Sequence, residues 1–178
     1  PQRQFQEFPN LVYVSIPNCE RVEDQAFLTS HALSFINIRN VKFVGIEAFA
    51  GCVALSHFNC YDVEEAEVGS FSYIQGLISV RFDKLTNLAP CMFQNCFALQ
   101  YVEGKCLKEI SQDAFSKIKV PVKVFDNGLL KAQSHFELVE KKSRFQEVLV
   151  PKSSQKEKDC LGCYVLQKDS ANKSRQLK

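Results

Sequence analysis

Eight cysteines and three histidines are the side chains of this 178-residue chain with the widest chemical reach. Cys160-Leu161-Gly162-Cys163 has the spacing of half a zinc site or of a redox pair. A structural zinc takes four ligands. With no second C-x-x-C and no paired histidines nearby, a local disulfide or two free thiols in a loop is the better reading. His31, His57 and His135 are dispersed, and no base among them can be matched to a nucleophile and an orienting carboxylate. The sequence therefore calls for no catalytic residue, no metal ligand and no cofactor. From Lys152 onward, Lys152, Lys156, Lys158, Lys168, Lys173, Arg175 and Lys178 outnumber the acids. Without interleaved aromatics, such dispersed charge is a solvated tail, not a nucleic-acid site.

The elements that must position any site are set by a repeat. Phe5, Phe27, Phe49, Phe71, Phe93 and Phe115 are each 22 residues apart, and Leu11, Leu33, Leu55, Leu77 and Leu99 keep step. A fixed apolar register at that interval predicts a solenoid, α/β to mostly β, of about six coils. Each coil reads as Leu11-Val12-Tyr13-Val14-Ser15-Ile16 does: alternation over its second half is a short strand with one face in the core. Equivalent strands must run the same way, so they stack as a parallel sheet on one side of a right-handed ramp. The phenylalanine fills the convex side, where rings can stack from coil to coil.

The repeat spans residues 1–127. Pro121 then takes the leucine position, and Asp126-Asn127-Gly128 is a turn signal. Leu129, Ala132, Phe136 and Val139 have helical spacing, and residues 147–150 and 163–166 read as short strands. Together 128–167 is expected to cap the last coil, with 168–178 a polar tail. No apolar run is long enough for a membrane helix, and no leader is visible. The chain opens at Pro1 inside a repeat, which leaves room for a leader or further repeats upstream.

In detail the unit resembles the leucine-rich repeats of the BspA-like (Treponema-type) class. Ala48-Phe49-Ala50-Gly51-Cys52 and Met92-Phe93-Gln94-Asn95-Cys96 carry that class's A-F-x-x-C element, Val44-Gly45-Ile46 its glycine turn and Ser15-Ile16-Pro17 its strand-ending proline. The asparagine ladder of commoner leucine-rich repeats is missing; its position holds Cys19, Val41, Val63, Leu85 and Leu107. The resemblance implies adhesion or surface interaction, at the cell surface or secreted, although relatives inside cells also occur.

The register also places the cysteines. Cys52 and Cys96 share one position two coils apart, which at ~4.8 Å per strand is roughly 10 Å. A disulfide needs Cα atoms within about 7 Å, so Cys52, Cys60 and Cys96 are expected as reduced, buried apolar fillers.

Function falls to the residues that alternate outward along the strands. These are Tyr13, Phe35, His57, Ser79, Tyr101 and Lys123, then Ser15, Asn37, Asn59, Arg81, Glu103 and Phe125, then Pro17, Arg39, Tyr61, Asp83, Lys105 and Asn127. Aromatic and arginine side chains beside small polar ones suit a protein interface, although a parallel sheet also favours such residues for its own packing. Tyr13, Phe35, Asn37, Arg39, His57, Asn59, Tyr61, Arg81 and Tyr101 are the candidate protein-binding residues. The expected function is a non-enzymatic binding or adhesion scaffold; the alternative is the structural end of a longer array whose binding surface lies elsewhere.

Overall fold

The structure, a computed structural model, describes residues 10–130, 136–139 and 164–165. Each coil carries one strand and one shorter return strand: β1 (Tyr13–Ser15) and β2 (Arg21–Val22), β3 (Phe35–Asn37) and β4 (Phe43–Val44), β5 (His57–Asn59) and β6 (Glu65–Ala66), β7 (Ser79–Phe82) and β8 (Asn87–Leu88), β9 (Tyr101–Gly104) and β10 (Glu109–Ile110). Then come β11 (Val122–Phe125), β12 (Phe136–Leu138) and β13 (Tyr164–Val165). All pairings are parallel, and within the repeat every register shift is 22 residues, as in Tyr13↔Phe35↔His57 and Ser79↔Tyr101↔Lys123. The expected parallel-sheet solenoid is the observed fold.

The phenylalanines form its spine. Rings of Phe27, Phe49, Phe71, Phe93 and Phe115 stack at 5.2, 5.6, 5.9 and 5.9 Å between centroids, each within 14° of parallel. Around them the leucine and β-branched positions close a continuous apolar core. Cys52, Cys60 and Cys96 are completely buried in it and unbridged. Their thiols donate to the carbonyls of Phe27, Arg81 and Phe71 at 3.2, 3.1 and 3.1 Å. A small polarizable side chain thereby fills the core and meets a backbone carbonyl from within it.

What replaces the asparagine ladder is a third, backbone ladder on the convex side. The N–H groups of Gln25, Phe27 and Thr29 donate to the carbonyls of Ile46, Ala48 and Ala50 of the next coil, each at 2.8 Å. The same triplet recurs from Glu47, Phe49 and Gly51, from Gly69, Phe71 and Tyr73, and from Cys91, Phe93 and Asn95. Alternate N–H groups close local turns instead, as Ala26 to Glu23 and Ser30 to Phe27 do. Two columns of left-handed residues accompany this alternation, one through Gln25, Glu47, Gly69 and Cys91, the other through Thr29, Gly51, Tyr73, Asn95 and Lys117. A left-handed β-branched residue such as Thr29 costs about 1–2 kcal/mol; three hydrogen bonds per coil hold it there.

Gly45 sits where the return strand leaves for this turn. A Cβ there would lie 2.6 Å from the backbone nitrogen of Asp24 and 2.8 Å from the carbonyl carbon of Glu23. The Asp24 carboxylate meanwhile accepts from the N–H of Ile46 at 2.9 Å. Gly45→Ala is therefore expected to push two coils apart and cost about 1–3 kcal/mol, the range for overpacking. Urea denaturation checks this, and an unchanged midpoint would refute the close approach.

The helix expected over residues 129–139 is replaced by a strand at its end. Phe136–Leu138 is strand β12, paired with β11 in the register Val122↔Phe136, and no helix occurs among the described residues. The physical reason is the open edge of β11, whose backbone groups need partners. Phe136 is buried there and meets Phe115 edge-on at 6.4 Å. The preceding turn forms as expected, with Gly128 left-handed and the N–H of Leu130 on the Asp126 carboxylate at 2.7 Å. Residues 147–150 lie outside the described residues. β13 falls within the strand expected at 163–166 and pairs with β1, in the register Val14↔Tyr164.

Candidate functional site: the sheet face

The outward positions of β1, β3, β5, β7, β9 and β11 share one face, because alternation points Val14, Ile36, Val80, Val102 and Val124 inward. Tyr13 and Phe35, paired in register, stack at 5.1 Å and 3°. Asn37 donates to the Ser15 hydroxyl at 3.4 Å and accepts from the Arg39 N–H at 3.3 Å, and Arg39 itself is exposed. His57 and Asn59 occupy their register positions in β5, opposite Phe35 and Asn37. Tyr61 and Tyr101 are half-buried, and the Tyr101 ring lies 6.2 Å from that of Phe125. Phe125 departs from its expected exposed place: only 7% of it is exposed.

Toward the later coils the face is held by charge. Asp83 accepts two hydrogen bonds from Arg81, at 2.9 and 3.3 Å, and one from Lys105 at 2.8 Å. Glu103 lies 3.8 Å from the Arg81 guanidinium, which also sits 5.3 Å from the centre of the Tyr61 ring. Partial burial acts against ionisation of Asp83, but the hydrogen bonds from Arg81 and Lys105 outweigh it and hold the carboxyl below its ordinary range. The hydrogen bond to Asp83 likewise raises Arg81. Arg81 with Glu103, and Asp83 with Lys105, are opposite charges one repeat apart, and of the four only Arg81 is among the candidate binding residues.

Elsewhere the side chains converge less. Arg21 caps the Phe43 ring at 3.8 Å, and Lys84 pairs with Asp62 at 2.7 Å. Two depressions, of about 430 and 400 Å³, lie by Asn40 and Asp62 and by Asp113 and Lys117. Among the described residues no group of three His, Cys, Asp or Glu side chains is placed to hold a metal ion, and no helix is long and apolar enough to cross a membrane. Cys160, Cys163 and His135 lie outside the described residues.

Fold, repeat length and convex phenylalanine spine define a leucine-rich repeat solenoid. The model of the BspA type leucine rich repeat region matches residues 1–120 in six copies, and the chain belongs to that family. Two solved structures share the fold. One is a leucine rich cell surface protein from Faecalibacterium prausnitzii, with TM-score 0.58, 21% identity, and 70% of this chain and 41% of that one covered. The other is the T. pallidum Leucine Rich Repeat protein, with TM-score 0.59, 21% identity, and 66% of this chain and 59% of that one covered. This chain thus spans about half the length of either. No curated protein matches it.

Proposed function

We propose that the chain is a non-enzymatic protein-binding scaffold of adhesion type, and that its partner is contacted by the sheet face through Tyr13, Phe35, Asn37, Arg39, His57, Asn59, Tyr61, Arg81 and Tyr101. The observation that carries the reading is the aligned row on that face: Tyr13 stacked on Phe35 at one end and Arg81 against Tyr61 toward the other. Neighbouring rings and a guanidinium held in place lose little side-chain freedom on contact, which is how aromatic and arginine anchors come to dominate interfaces. A cell surface location is supported by the description of the Faecalibacterium relative. The reduced thiols of the repeat suit an intracellular place equally well.

The test is affinity capture from the source cell and its host surface, comparing the native chain with Phe35→Ser/Tyr61→Ser/Tyr101→Ser. Matched circular dichroism must first show both to be folded. The expected result is a partner whose affinity falls at least about 100-fold with the triple substitution, since three anchors are removed. A partner retained at full affinity refutes the sheet-face site. No partner from either source favours the alternative, a structural or capping end of a longer array.

A further inference from the structure

We propose that the solenoid is hinged between its third and fourth coils, so that the sheet face is two plates whose mutual angle can change. Parallel pairing stops at one place on both walls. The strands form separate sheets, β1, β3 and β5 apart from β7, β9, β11 and β12, and the return strands likewise separate into β2, β4 and β6 apart from β8 and β10. No insertion causes this, since the repeat keeps its interval of 22 residues throughout. The hydrogen bonds show the same gap. Glu64, Glu65 and Glu67 donate their N–H groups to Lys42 and Val44 of the coil before, and Lys108, Glu109 and Ser111 donate to Thr86 and Leu88. The equivalent residues of the fourth coil, Thr86, Asn87 and Ala89, make no such bond to the third.

The convex side is continuous across the same step. Gly69, Phe71 and Tyr73 donate to Pro90, Met92 and Gln94 at 3.2, 3.1 and 2.8 Å, and Phe71 stacks on Phe93 at 5.9 Å. That turn ladder is the pivot. The opposite side is spanned by side chains and two isolated hydrogen bonds in place of a ladder: the Asp83 N–H on the Tyr61 carbonyl at 3.1 Å, the Cys60 thiol on the Arg81 carbonyl at 3.1 Å, Arg81 against the Tyr61 ring, and the exposed Lys84 with Asp62 at 2.7 Å and Glu64 at 3.9 Å.

The wedge is aromatic. At the position filled by Val14, Ile36, Val80 and Val102 in other coils stands Phe58, and at that of Ile16, Ile38, Cys60 and Gly104 stands Phe82. Both rings press on Phe71, at 5.1 and 6.1 Å, in addition to the stacks with Phe49 and Phe93 that the spine requires. Phe82 is fully buried between the small Cys60 and Gly104, whereas Phe58 remains partly exposed. A core holding extra ring volume at one level relieves it by moving backbone. The strand side moves, since the turn side is held by three bonds per coil.

The hinge needs no partner, so its test is independent of the proposed interface. Native-state hydrogen exchange of the full chain by NMR should give Asn87 and Ala89 amides protected roughly 100-fold less than Glu65, Glu67, Glu109 and Ser111, with Phe71 and Tyr73 as protected as Phe49 and Gly51. Phe58→Val should raise the protection of Asn87 and Ala89 at least about tenfold by letting the ladder close. Equal protection of all the return-strand amides in the native chain would overturn the hinge. So would low protection of Phe71 and Tyr73, which would leave no pivot.

Discussion

Replacing Phe49 by serine should unfold the array. Its ring is fully buried, stacked between Phe27 at 5.2 Å and Phe71 at 5.6 Å, with Phe58 a further 6.5 Å away. Truncating a buried phenylalanine typically costs about 3–5 kcal/mol, and serine adds a hydroxyl with no partner. Against a total stability of about 5–15 kcal/mol, that loss removes much of what holds the coils together. Each coil buries its core only against its neighbours. A break at the second coil therefore strands the first. A circular dichroism melt should show a lowered and broadened transition, and Phe49→Leu, which keeps most of the apolar volume, should fall in between. A melting curve unchanged by the serine would refute the register on which every placement here depends.

Alkaline pH should unfold the chain through its buried thiols. Burial pushes Cys52 and Cys96 from the ordinary 9.0 up to about 12, and raises Cys60 as well. Below pH 9.0 these thiols are protonated whether the chain is folded or not, and their contribution is constant. Above it the unfolded chain releases protons that the folded chain retains, so stability falls as pH rises toward the folded values. The slope is about 1.4 kcal/mol per pH unit for each thiol, or about 4 kcal/mol per unit for all three. Urea midpoints taken from pH 8 to pH 11 should therefore drop steeply beyond 9. In Cys52→Ala/Cys96→Ala the slope should be shallower by about 2.8 kcal/mol per unit, the other alkaline titrations being common to both proteins. Identical slopes would show that the thiols do not ionise on unfolding.

Much of this molecule is one-dimensional, which is why so much of it could be read from the chain. Every coil has the same neighbours, so a periodic residue such as Phe49 or Val44 declares its surroundings by its place in the repeat. The sheet face followed by alternation alone: Tyr13, Phe35 and Arg81 lie where their register put them, and the spacing of Cys52 and Cys96 sufficed to expect unbridged fillers. The reading failed at Phe136–Leu138, past the end of the repeat. Helical spacing of four apolar residues is a local signal, while the open edge of β11 is a demand made by an element formed elsewhere in the sequence.

The sequence by itself determined the period, the strand face that points inward and the family of the fold, because a parallel stack converts a 22-residue interval directly into contact. Three features were decided only in the tertiary structure. The turn ladder through Phe27, Phe49, Phe71 and Phe93 depends on backbone N–H groups, which every residue type other than proline carries and which therefore leave little trace in composition. The Arg81, Asp83, Glu103 and Lys105 cluster needs side-chain rotamers that bring two coils' charges within hydrogen-bond reach. The gap between β5 and β7 arises because Phe58, Phe71 and Phe82 compete for one level of the core. Each is an acceptable apolar residue in its own position, and their combined volume is a property of three dimensions.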